Sequence, residues 1–128
     1  MLVVPENGYK SILLKDVQDF FLTRGDSTII QFVPYIEDRK TKVQEDYIIQ
    51  SGDQFIFRMQ INAKTNFEKY CITDVEQNTC MLLLEHDDTI NFDMRTYYYE
   101  LELINIYDEH YTFISGRVTL GKEIERHG

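Results

Sequence analysis

A chain of 128 residues and 15.3 kDa can bury one core but leaves little room for a second. Its 22 acidic residues against 13 basic ones give a formal charge of −9. That balance argues against nucleic-acid binding, which needs clustered Lys and Arg on phosphates, and against a polybasic membrane anchor. At 43% hydrophobic and 27% charged the chain is not of disordered composition. Ala63 is the only alanine, whereas Ile occurs fourteen times, Thr ten, Tyr nine, Phe eight and Val seven. These are residues of pleated, half-buried surfaces, so the composition predicts an all-β domain.

In chain order, Pro5, Asn7 and Gly8 precede the short apolar run Ile12-Leu13-Leu14, a short strand or an arm. Lys15 to Phe21 reads as a brief helical turn or a loop, and Arg24-Gly25-Asp26-Ser27 as a turn. Thr28 to Tyr35 alternates as a strand whose end Pro34 demotes to an edge or a bulge. The charged loop Asp38–Lys42 leads to a short strand at Tyr47-Ile48-Ile49 and the turn Ser51-Gly52-Asp53. Gln54 to Ile61 then alternates, with Phe55, Phe57, Met59 and Ile61 inward and Arg58 and Gln60 outward. Phe67–Thr73 and Thr79–Leu84 are expected as a hairpin. Asp88 or Thr89 is expected to cap one helical turn running through Asn91, Phe92 and Met94. Tyr97–Ile106 and Tyr111–Leu120 form the last hairpin, with Gly116 marking a bulge or a close contact. Roughly seven short strands with turns every eight to twelve residues predict an antiparallel β-sandwich, Ig-like or jelly-roll-like, with at most one short helical turn. Residues 1–19 are expected as an N-terminal strand or arm, 20–122 as the sandwich, and 123–128 as a polar tail.

Cys71 and Cys80 are too few for a disulfide scaffold. A turn through Asp74-Val75-Glu76-Gln77 pairs them directly across a hairpin, whereas a turn one residue longer sets Cys80 against Ile72. No uninterrupted apolar run reaches membrane-span length, and the start Met1-Leu2-Val3-Val4-Pro5-Glu6 lacks the regions of a signal peptide. The expectation is synthesis in a cytoplasm, where two reduced thiols act as small apolar side chains.

His86, His110 and His127 sit in no motif with a nucleophile or a second metal ligand, so no catalytic residue is assigned and no cofactor is expected. Glu85, Asp87 and Asp88 offer hard oxygen ligands of the kind calcium takes, without the spacing of an EF-hand loop. Arg24-Gly25-Asp26 spells an adhesion tripeptide, but Gly25 in a turn and Asp26 capping it before a strand account for it structurally. Tyr97-Tyr98-Tyr99 alternates across a strand. Tyr98, with Tyr111 and Phe113 on the same outer face, is the candidate interface for a partner chain or a sugar.

Four ordered stretches resemble a known group. Arg24-Gly25-Asp26-Ser27 precedes the strand Thr28–Val33, and Ser51-Gly52-Asp53 precedes Gln54–Met59. Asp88-Thr89 is followed by Tyr97-Tyr98-Tyr99-Glu100-Leu101-Glu102-Leu103, and the last stretch is Thr112-Phe113-Ile114-Ser115-Gly116-Arg117-Val118-Thr119-Leu120. Together they resemble small β-sandwich proteins of phage and prophage structural-gene clusters, similar to the N-terminal domain of phage baseplate upper proteins. The resemblance covers residues 20 to 125. It implies a non-catalytic virion component, baseplate- or tail-associated, that packs against copies of itself or neighbouring virion proteins; the charge balance sets the expectation of neither nucleic acid nor membrane as partner. Its expected location is the virion, or the host cytoplasm during assembly. A ligand- or carbohydrate-binding sandwich is the alternative expectation.

Overall fold

The computed structural model describes residues 10–14 and 19–122, with 10–14 and 113–115 described by their backbone. The strands are β1 (Lys10–Leu14), β2 (Asp19–Thr23), β3 (Thr28–Phe32), β4 (Pro34–Asp38), β5 (Gln44–Asp46), β6 (Gln54–Asn62), β7 (Thr65–Tyr70), β8 (Ile72–Asp74), β9 (Thr79–Leu84), β10 (Thr96–Ile104) and β11 (His110–Gly121). A single helical turn, α1 (His86–Thr89), lies between β9 and β10. The fold is all-β and sandwich-like. A five-stranded sheet of order β2-β11-β10-β6-β7 faces a three-stranded sheet of order β3-β9-β8, and β1-β4-β5 form a third small sheet.

The core is built by alternation. Phe55, Phe57 and Met59 of β6 and Tyr97, Tyr99, Leu101 and Leu103 of β10 point inward, as their spacing predicts. Phe32, Cys80, Leu82 and Leu84 meet them from the small sheet in one continuous cluster. Phe20 bridges the layers, with its ring 6.1 Å from Phe32 and 5.3 Å from Tyr99. Aromatic rings packed this way add about 0.5–1.5 kcal/mol per pair beyond their buried area.

Several local expectations give way to longer-range pairing. Residues 19–23 are a strand rather than a helical turn, because β2 pairs in parallel with β11 from Asp19↔Arg117 to Thr23↔Gly121. That ladder joins segments about a hundred residues apart, so no local periodicity signals it. The expected Thr28–Tyr35 strand breaks at Val33, and Pro34 opens a strand in a different sheet. Tyr47-Ile48-Ile49 is irregular, although Tyr47 and Ile49 are fully buried. The Ile49 amide donates to the Asn78 side chain at 2.7 Å rather than to a neighbouring strand.

The expected hairpin of Phe67–Thr73 with Thr79–Leu84 is divided at Cys71, where the chain leaves the large sheet for the small one. Its register sets Thr73 against Cys80 and Ile72 against Met81, one step beyond the longer-turn alternative and two beyond direct pairing of the cysteines. The helical turn starts three residues earlier than expected. Glu85 is its N-cap, and the Asp88 carboxylate accepts the Glu85 amide at 2.7 Å, closing the turn from its third position.

The Arg24-Gly25-Asp26 turn docks on α1. Gly25 has φ +84°, its amide donates to Thr89 Oγ1 at 2.7 Å, and its carbonyl meets His86 Nδ1 at 2.7 Å. A Cβ on Gly25 would lie 2.8 Å from Ile90 Cδ1, so glycine is dictated by packing as well as by backbone angle.

Candidate functional site

The two sheets present very different outer faces. On the large sheet, Arg58 of β6 stands opposite Glu100 of β10 on one side and Glu68 of β7 on the other. Its Nε donates to Glu68 at 2.7 Å and its Nη1 to Glu102 at 2.9 Å, with Glu100 at 4.0 Å. Three carboxylates thus surround one guanidinium, and His110 approaches Glu102 at 3.5 Å. Tyr98 projects from this face and is 64% exposed. It stands opposite Arg117, whose amide donates to Asp19 at 3.0 Å.

Arg58, Gln60, Asn66, Tyr98, Tyr99 and Glu100 line a concavity of about 410 Å³. Arg58, the cation among the described residues that line the groove, is already held by carboxylates. What remains is an exposed aromatic ring beside two amides and a carboxylate. That chemistry suits a neutral, hydroxyl-rich ligand, which stacks on a ring and exchanges hydrogen bonds with amides.

The outer face of the small sheet carries an apolar stripe. Ile29 of β3 is paired with Leu83 of β9, and Met81 of β9 lies between Gln31 of β3 and Ile72 of β8. Ile29 is 66% exposed and Ile72 53%, while Met81 and Leu83 are half-buried. Strands β3 and β8 each pair on one side only among the described strands.

The three residues expected to share one outer face do not do so. A register shift in the β10–β11 ladder sets Leu101 against Ile114 and Glu102 against Thr112, leaving Phe113 as the extra residue of a bulge. The bulge reverses the alternation beyond it. Tyr111 therefore stands opposite the buried Leu103 and packs half-buried against the core, not beside Tyr98. Burial, and secondarily the nearby Glu109, raises the Tyr111 hydroxyl above its ordinary value. The Phe113 side chain lies outside the described residues.

Of the weak calcium candidates, Asp88 accepts the Lys69 ammonium at 2.5 Å as well as the Glu85 amide, and Glu85 and Asp87 are exposed on the same turn. Among the described residues no group of three or more His, Cys, Asp or Glu converges as metal ligands. His86 is engaged with the Gly25 carbonyl and His110 with Glu102 and Asp108, while His127 lies outside the described residues.

The alternation of β6 already turned Arg58 and Gln60 outward, but nothing local signalled that Glu68, Glu100 and Glu102 would gather around Arg58. The apolar face of Ile29, Ile72, Met81 and Leu83 was equally hidden, because it depends on the β3-β9-β8 order. No protein-family model and no curated protein matches the chain.

Proposed function

We propose that the chain is a non-catalytic structural module, an assembly component of a phage or prophage particle, baseplate- or tail-associated, that joins copies of itself. The observation that supports this is the apolar stripe across the three strands of the small sheet's outer face. A solvated sheet face normally carries polar residues, whereas the small sheet presents Ile29, Leu83, Met81 and Ile72 together, with Gln31 the polar residue among them. Apposing two such faces removes apolar surface from water at about 25 cal/mol per Å². The net charge of −9 opposes indiscriminate association. The single-sided strands β3 and β8 border the same face and can accept a neighbour's strand.

The test is solution mass by light scattering behind a sizing column over a range of concentrations, for the native chain and for a double variant, Ile29→Lys with Ile72→Lys. Both positions are exposed, so the variant keeps the core. A defined oligomer that falls to the 15.3 kDa monomer in the variant is the expected result. A native chain that stays monomeric at every concentration overturns self-assembly through this face.

The groove beside Tyr98 favours a second function, binding of a carbohydrate or similar neutral ligand. A glycan array read with the native chain and with Tyr98→Ala separates the two. Hits lost in the variant support the groove, and an array without hits counts against it.

A further inference from the structure

Cys71 and Cys80 are both free, and the fold brings them together at a mechanically sensitive place. Thr73 stands opposite Cys80 in the β8–β9 ladder, so Cys71, two residues earlier, falls on the same inner face on the diagonal. Cys71 is the single residue between β7 of the large sheet and β8 of the small one, and its amide donates to the Phe55 carbonyl of β6 at 2.8 Å. It packs half-buried against the core cluster that contains Cys80, which is fully buried. The neighbouring Cys71 thiol, and burial after it, raise the Cys80 thiol well above its ordinary value.

We propose that Cys71 and Cys80 form a reversible dithiol–disulfide pair whose oxidation staples the crossover between the two sheets to strand β9. The oxidant is a small-molecule disulfide. The more exposed Cys71, as thiolate, attacks one sulfur of that disulfide, whose S–S bond breaks to release one thiolate and leave a mixed disulfide on Cys71. Cys80 then loses its proton to solvent and attacks the Cys71 sulfur. The Cys71–Cys80 bond forms and the second small thiol departs. Two protein thiols have given up two electrons and two protons, and one disulfide has become two thiols. Because Cys80 holds its proton tightly, closure is the slow step and quickens as pH rises.

The bond would close a short loop containing the β8–β9 turn and fix the point where the chain changes sheets. It also lies directly beneath Ile72 and Met81 of the apolar outer face, so oxidation state and the rigidity of that face are linked.

The experiment uses the full chain, incubated folded with oxidised glutathione, quenched with an alkylating reagent and read by mass spectrometry without reduction. The expected result is a single-chain mass without intermolecular links, loss of both titratable thiols, a Cys71–Cys80 cross-linked peptide, and recovery of both thiols with dithiothreitol. Cys80→Ser is expected to stop as a stable glutathione adduct on Cys71, while Cys71→Ser gains no adduct. Should either variant fail to fold by circular dichroism, the native chain decides alone. A folded chain that keeps both thiols, or that links only between molecules or only after denaturation, overturns the proposal.

Discussion

The Tyr47 hydroxyl donates to Oδ2 of Asp53 at 2.9 Å, in a part of the sandwich where the tyrosine is fully buried and the aspartate is 5% exposed. The same oxygen accepts the Gln50 amide at 2.9 Å, while Oδ1 finds no partner among the described residues. The carboxylate therefore relies on two donors at one oxygen to offset its burial. Removing one by Tyr47→Phe keeps the ring in the core but strips a hydrogen bond from a buried charge. The expected cost is about 1–3 kcal/mol, seen as a lower urea midpoint with unchanged slope. An unchanged midpoint would mean that solvent reaches Asp53 and replaces the hydroxyl.

Tyrosine burial is also expected to lower stability at alkaline pH. Burial first, and Asp19 second, raise the Tyr99 hydroxyl from 10.0 to about 12. Tyr47 is raised further, by burial and then by Asp53. In each case the folded state favours the protonated form, so their contribution is fully present below pH 10. It is lost as pH rises through the folded values, because the unfolded chain ionises first. The unfolding free energy is expected to fall above pH 10, with a slope of up to about 1.4 kcal/mol per pH unit for each such group. Tyr99→Phe should flatten that slope between pH 10 and about 12, measured by urea titrations at stepped pH. An equal slope in the variant would assign the loss to other groups.

At Gly25 backbone and packing demand the same residue. Its φ of +84° disfavours any side chain, and a Cβ there would press on Ile90 at 2.8 Å. Gly25→Ala is expected to destabilise by about 1–3 kcal/mol through the left-handed backbone alone. The loss should be smaller when combined with Ile90→Val, which withdraws the Cδ1 atom. Additive losses in the double variant would show that the clash contributes nothing.

How much was legible in the sequence depended on how local its cause was. β6 and β10 were readable because Phe55, Phe57 and Met59, and Tyr97, Tyr99, Leu101 and Leu103, repeat at the strand period and face one core. β2 was not, because Asp19–Thr23 is ordered by a parallel partner almost a chain length away. The candidate interface failed at one residue. From Gly116 to Leu120 the alternation of β11 is regular, but the bulge at Phe113 shifts the register ahead of it, and a bulge has no signature in side-chain identity there. Of the expected set, Tyr98 alone is shown on the outer face, and Arg58, Gln60 and Asn66 beside it in the groove come from β6 and β7, which only the sheet order brings alongside.

The Arg58 cluster yields the last prediction. Its guanidinium is flanked by Glu68, Glu100 and Glu102, and with Glu102 it is mostly covered by neighbouring atoms. Arg58→Met keeps the apolar stem over the sheet but leaves three carboxylates facing one another without a cation. A surface pair alone is worth less than about 1 kcal/mol. Here the loss of two charge-assisted hydrogen bonds adds to mutual repulsion, and the expected destabilisation is about 1–3 kcal/mol at neutral pH and low ionic strength. The repulsive part is screened by salt and the lost hydrogen bonds are not. Raising salt to about 1 M, where the screening length is about 3 Å, should therefore recover part of the deficit, read from paired urea titrations of variant and native chain. A deficit indifferent to salt would mean that Arg58 acts through packing and hydrogen bonding alone, with the carboxylates able to swing apart into solvent.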